Sequence, residues 1–194
     1  MRKTAFKRKT SETDIFVRIG LDGKGEGQIK TTIPFLDHML NLFSRHSLVD
    51  LTIQAKGDTE IDDHHLVEDL GICIGKALQQ ALGKKEGIGR YGDALVPMDE
   101  SMCSAAVDLS GRPFLVYQAN FRGKRSGDFD FELLREFFKA LSDHSGMTLH
   151  LNMLYGKNKH HMAEAMFKAF ARALRKAVAV DERIRGVLST KGRL

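Results

Sequence analysis

Two stretches decide how this chain is read: Asp63-His64-His65-Leu66-Val67-Glu68 and Lys159-His160-His161-Met162-Ala163-Glu164. Each spells His-His-x-x-Glu, and they lie 96 residues apart. The match spreads outward. At the same offset Ala77-Leu78 falls on Ala173-Leu174, and Ala81 on Ala177. Upstream the offset becomes 98, so that Leu36 falls on Leu134, His38 on Glu136, His46-Ser47 on His144-Ser145 and Leu51 on Leu149. The change of two marks a shorter loop in the second copy. A looser match at 88 pairs Glu12 with Glu100, Leu21 with Leu109 and Gly23 with Gly111. Seven of the eight histidines obey this register and only His150 stands outside it. A long internal repeat makes the chain a duplicated unit.

Local patterning repeats too. Thr13 to Leu21 alternates like a strand and ends in the turn residues Asp22-Gly23-Lys24-Gly25. Leu36, Met39, Leu40 and Phe43 predict a helix over Phe35 to His46, and the alternation of Val49, Leu51, Ile53 and Ala55 predicts a strand over Leu48 to Ala55. After a polar loop, Asp63 can cap a helix from His64 to about Leu82, with Gly83 as the stop. The second copy predicts strands over Ala105 to Leu109 and Phe114 to Ala119, a helix over Phe131 to Leu141, a strand over Met147 to Met153 and a helix over His160 to Val180. The expected class is α+β, two similar half-domains of residues 1–86 and 87–194, with sheet on one side and helices on the other. Gly83 to Tyr91 is the expected linker, and Arg183 to Leu194 a polar, basic tail, flexible unless it binds something.

Composition narrows the function. The 194 residues are 42% apolar and 28% charged, ordinary for a globular protein, and no apolar run is long enough to span a bilayer. The basic N-terminus lacks the apolar stretch of a secretory signal. Cys73 and Cys103 form neither a disulfide framework nor a ligand pair, so a reducing cytoplasm is expected. A net charge of +5 suits a small anionic substrate, and the basic residues lack the interleaved aromatics of a nucleic-acid surface.

The chemistry lies in the repeated motif. On a helix Glu68 neighbours both His64 and His65, at spacings of four and three, whereas the two histidines diverge by about 100°. One helix can therefore serve two metal ions, one histidine to each. Imidazole and carboxylate donors suit manganese, iron, nickel, cobalt or zinc. A single such motif is as often a surface pair, but duplication of both histidines and the glutamate favours metal binding. Arg90, Arg112, Lys168, Ser189 and Lys191 are candidates for holding an anion, and the repeat-related Glu12 and Glu100 for acid–base work.

Phe35-Leu36-Asp37-His38-Met39-Leu40, Asp62-Asp63-His64-His65-Leu66-Val67-Glu68-Asp69, Pro97-Met98-Asp99-Glu100, Asp108-Leu109-Ser110-Gly111-Arg112-Pro113 and His160-His161-Met162-Ala163-Glu164-Ala165-Met166-Phe167-Lys168 resemble the imidazoleglycerol-phosphate dehydratases of histidine biosynthesis, in order from Glu12 to Gly192. The resemblance implies a duplicated left-handed βαβ fold like the second domain of ribosomal protein S5. It implies a carbon–oxygen lyase that converts imidazole glycerol phosphate to imidazole acetol phosphate and water through a metal-bound imidazolate. It implies two manganese ions per active site, a homo-oligomeric octahedral 24-mer built from trimers, and no nucleic-acid or membrane partner. Metal ligands would be His38, His64, His65, Glu68, His160, His161 and Glu164. Substrate contacts would be Glu12, His46, Arg90, Arg112, Lys168, Ser189 and Lys191. From the chemistry itself we take Glu12 and Glu164 as candidates for the proton transfers, Glu164 being a ligand as well. Where many members carry histidine this chain has Glu136, which can still ligate and lies opposite His38 in the repeat.

Overall fold

The structure, a computed structural model, describes residues 2–121, 125–126 and 129–194. Its element order is β1 (Lys3–Lys9), β2 (Thr13–Gly20), β3 (Gly27–Lys30), α1 (Pro34–Ser47), β4 (Asp50–Gly57) and α2 (His64–Leu82), then β5 (Tyr91–Met98), β6 (Ser101–Asp108), β7 (Phe114–Gln118), a two-residue pair β8 (Arg125–Ser126) and β9 (Phe129–Asp130), α3 (Leu133–Ser145), β10 (Thr148–Tyr155) and α4 (Lys159–Val178). The fold is α+β. Two four-stranded sheets have the orders β1-β2-β4-β3 and β5-β6-β10-β7, the same topology twice. In each, one pair is parallel, β3 with β4 and β7 with β10, joined through a helix.

The sequence register holds at the level of strand pairs. Shifting β2 by 88 gives β6, and shifting β4 by 98 gives β10. Gly20 faces Asp50 in the first sheet as Asp108 faces Thr148 in the second. The copies part at a register irregularity between Met153 and Tyr155, just before the shortened loop. Both β2 and β6 alternate buried and less buried positions, one face inward.

In each half the helices pack against that half's own sheet, as the sequence suggested. They lie between the two sheets: α1 packs on β3 and α4, α2 on β1, β2 and α3, α3 on β7 and α2, and α4 on β5, β6 and α1. The principal helix pairs are therefore α1–α4 and α2–α3, each joining one copy to the other. Phe43 stacks on Phe170 at 5.3 Å across the first pair. Across the second, a Cβ added at Gly71 would meet the Phe137 carbonyl at 2.5 Å, and one at Gly75 the Leu141 carbonyl at 2.9 Å. Bare backbone at two successive turns of α2 lets α3 approach this closely. Phe137, Phe138, Phe167 and Phe170 are all essentially buried, each worth about 1.5–3 kcal/mol of apolar burial.

Some expectations need correction. The basic N-terminus is strand β1, and Tyr91 opens strand β5 instead of closing a linker. Helix α3 starts and ends later than Phe131 to Leu141. Asp63 stands at the N-cap of α2 but its carboxylate makes no cap bond; the carboxylate of Asp62 accepts the His64 N–H at 2.7 Å. No helix among the described residues is long and apolar enough to cross a membrane.

Candidate active site

Helix α4 begins with both its histidines oriented by a cap: the side chain of Asn158 accepts the N–H groups of His160 and His161. One turn further on, Glu164 is 8% exposed. Helix α1 brings His38 alongside, through the α1–α4 pairing. The Nε2 atoms of His38 and His160 lie 3.1 and 2.9 Å from Glu164 Oε1. Ligand atoms of His38, His160 and Glu164 all fall within 4.8 Å of one another, a group that could hold a metal ion. Lys168 donates to Glu164 Oε2 at 2.6 Å. Burial pushes the Glu164 carboxyl up, but Lys168 and the two imidazoles outweigh it and hold it down at about 2. A carboxylate so placed is ionised and available as a ligand. His46 lies near the same cluster; burial, then the charges of Lys168 and Arg172, lower its pKa.

The repeat-related group sits between α2 and α3. His64 Nε2 is 3.7 Å from Glu68 Oε2. His64 and Glu136 line a cavity of 320 Å³ together with Asp62, Asp63, Asp130 and Glu132. Glu136 also lies 3.4 Å from Arg135.

The second histidine of each motif turns away from its neighbour, with ring planes 87° apart in both copies. His65 Nδ1 meets Asp58 Oδ2 at 3.0 Å, and His161 Nδ1 meets Glu100 Oε2 at 2.6 Å. Those hydrogen bonds raise the pKa of both histidines. The His161 bond, helped by the N–H of Asn158, pulls the Glu100 carboxyl well below the usual range. Glu100, an acid–base candidate in the sequence, is thus already engaged. Glu12 lies near His65, adding to the charge around it, and lines a small cavity with Asp58.

The anion candidates divide. Arg90, Arg112, Ser189 and Lys191 line one cleft of 1080 Å³, with the C-terminal tail as one wall. Arg90 has a left-handed backbone, φ 64°, unusual for a side-chain-bearing residue. Its guanidinium pairs with Asp108 at 2.8 and 3.2 Å and donates to the Leu188 carbonyl at 2.7 Å, which ties the tail down. Lys168 does not line that cleft and serves Glu164 instead. Glu12 and Glu164 occupy different clusters. Sequence reasoning did not single out Asp58 or Asn158. Asn158 carried a signal, a cap residue just before a helix; Asp58, in a polar loop, carried none.

Comparison with known proteins gives this geometry a family. The family model described as imidazoleglycerol-phosphate dehydratase matches residues 31–174. The imidazoleglycerol-phosphate dehydratase of Syntrophus aciditrophicus (strain SB) is 62% identical over 193 residues, covering 99% of this chain and 98% of that relative. That of Citrifermentans bemidjiense is 57% identical, covering 100% and 99%. Among solved structures, the Staphylococcus aureus subsp. aureus N315 enzyme has a TM-score of 0.83 at 39% identity, covering 92% of this chain and 100% of that one. The Pyrococcus furiosus enzyme has a TM-score of 0.84 at 39% identity, covering 97% and 100%. The chain therefore belongs to the imidazoleglycerol-phosphate dehydratase family, carbon–oxygen lyases of histidine biosynthesis.

Proposed function

We propose that the chain dehydrates imidazole glycerol phosphate to imidazole acetol phosphate using two divalent transition-metal ions per site, manganese foremost. The observation that carries this reading is the convergence of His38, His160 and Glu164 within 4.8 Å. Two imidazoles and an ionised carboxylate are a donor set that suits such ions. His64, His65, Glu68, Glu136 and His161 are the further ligands we propose. When bound, the ions would grip the ring nitrogens of the substrate and let the imidazole accept an electron pair that no neighbouring carbonyl can take.

The chain's own residues do the remaining work. Arg90, Arg112, Ser189 and Lys191 bind the phosphate and fix the substrate's orientation. Lys168, with His38 and His160, holds Glu164 ionised, and His46 is a proposed substrate contact beside them. Glu12 and Glu164 carry the protons. One takes the hydrogen from the hydroxyl-bearing carbon one removed from the ring, and one delivers a proton to the hydroxyl departing from the carbon attached to the ring. Loss of water leaves an enol, which becomes the ketone of the product.

These groups lie in separate clusters on one chain, which supports a site shared between copies. The assembly we propose is a homo-oligomer, the octahedral 24-mer of trimers. The outward face of the second sheet supports it, presenting Leu95 at 60% exposure, Phe114 at 61% and Leu154 at 50%. Covering such exposed apolar side chains would favour association between copies. Two free, buried cysteines support a cytoplasmic setting.

Elemental analysis of the purified protein, paired with a dehydration assay on imidazole glycerol phosphate before and after chelation, tests the proposal. Bound metal with activity lost on chelation and restored by Mn²⁺ is expected. Release of inorganic phosphate without dehydration would overturn it in favour of a metal-dependent hydrolase. Glu12→Gln at constant metal content should depress turnover; unchanged turnover would remove Glu12 from the mechanism.

A further inference from the structure

We infer that Asp58 and Glu100 are positioning residues: each fixes the tautomer and aim of the outward histidine beside it, so that His65 and His161 present a bare Nε2 for an ion. The inference rests on the metal reading above and extends it to residues outside the His-His-x-x-Glu motif.

An ionised carboxylate only accepts hydrogen bonds, so a ring nitrogen facing one must carry the hydrogen. Asp58 reaches His65 Nδ1 with both oxygens, at 3.0 and 3.3 Å. Glu100 reaches His161 Nδ1 at 2.6 Å. In both neutral rings the lone pair then lies on Nε2, at the far edge of the imidazole. Asp99, another carboxylate near His161, is 3.8 Å from Nε2, beyond hydrogen-bond reach.

The carboxylates are themselves held. Glu100 Oε1 accepts the N–H groups of Lys157 at 3.2 Å and Asn158 at 2.7 Å and the Ser101 hydroxyl at 3.1 Å, leaving Oε2 for His161. The backbone of Asp58 donates to the Glu12 carbonyl at 3.1 Å, and its own carbonyl accepts the Ile61 N–H at 2.9 Å. One residue thus ties the acid–base candidate Glu12 to the loop that aims His65.

The two carboxylates differ in origin. The histidines are copies of one another, but their supports are not. At the offset of 88 the partner of Glu100 is Glu12, and at 98 the partner of Asp58 is Gly156. The first copy supplies its carboxylate from the loop after β4, the second from the turn between β5 and β6. The same contact at Nδ1 is reached by two routes, which inheritance from a common half does not explain. A requirement on the imidazole does.

The test uses the full chain. Mn²⁺ affinity is measured by competition with a chelator for the wild type and for Asp58→Ala, Asp58→Asn, Glu100→Ala and Glu100→Gln. The imidazole ¹⁵N shifts of His65 and His161 are recorded in metal-free protein. Each alanine should weaken Mn²⁺ binding by about 10–100-fold and turn a single tautomer into a mixture. The amide variants keep an acceptor and should restore both readouts most of the way. Glu100→Ala also frees the loop into α4; if it unfolds, Asp58→Ala decides. Alanine variants with wild-type affinity and unchanged shifts would overturn the inference. A wild type that binds no Mn²⁺ would overturn the metal reading instead, and the shifts would still decide what the carboxylates do to the rings.

Discussion

At one repeat position the first copy carries Asp50 and the second Thr148. The Asp50 carboxylate accepts the N–H groups of Lys24 at 2.8 Å and Glu26 at 3.0 Å, so the first copy's glycine loop closes on an anion of its own. The Glu26 N–H leads the contacts that hold this carboxyl low. Thr148 instead donates its hydroxyl to the Arg112 carbonyl at 2.9 Å, and the matching loop opens on the cleft of Arg90 and Lys191. The two ligand groups differ in the same spirit. Glu164 is buried and braced by Lys168, whereas the matching positions are the exposed Glu68 and the apolar Ile72. Structural polarity runs the other way: the first copy places Asp69 between Arg8 at 3.0 Å and the Thr13 hydroxyl, where the second has Ala165, Val96 and Ser101. At Asp50 and Asp69 the first copy uses charge to hold its own fold together, where the second copy does not.

Substitutions at matching positions of the two copies test this division. The largest effect is expected at Glu164→Gln, which should lower turnover by about 10²–10⁴-fold at saturating metal. Glu68→Gln should act chiefly on metal affinity; equal losses of turnover in steady-state assays would erase the distinction. Next is Leu154→Lys, which brings in the first copy's Lys56 and should break the assembly in light scattering, whereas Lys56→Ala should leave it whole. An oligomer that stays intact when every copy carries Leu154→Lys would clear that face of any role.

Asp69→Ala should cost about 2 kcal/mol in urea unfolding, the low side for a broken buried pair because Arg8 reaches solvent. The double variant Arg8→Val, Asp69→Ala copies the second half and should return to within about 1 kcal/mol of the parent. A double variant no better than the single would mean the triad does more than satisfy its own charges. The smallest effect is expected from Asp50→Thr, about 1 kcal/mol with faster hydrogen exchange at the Lys24 and Glu26 amides and unchanged turnover.

The repeat made much of this legible. Offsets read from histidines and leucines carried β2 onto β6 and β4 onto β10, because a strand pair that buries one face cannot slip by a single residue. Strand β1 was not legible: Lys3, Lys7 and Lys9 dominate it, and an edge strand needs little apolar content. The divergence of each histidine pair followed from helix geometry alone. Which residue would meet which histidine did not, since His38 reaches Glu164 only through the α1–α4 packing. Lys168 showed this most clearly. Its charge made it a candidate for holding an anion and the resemblance made it a substrate contact, whereas its hydrogen bond to Glu164, one helical turn away, is what the fold adds.

The crossed helix pairing has a consequence for the origin of the chain. Each copy leans its helices on those of the other, with Gly71 and Gly75 pressed against α3. A polypeptide of half this length would leave both helices uncovered and would be whole only as a pair. Because the present chain joins its two copies covalently, positions such as Asp50 and Thr148 are free to differ, whereas a true homodimer must carry every substitution twice.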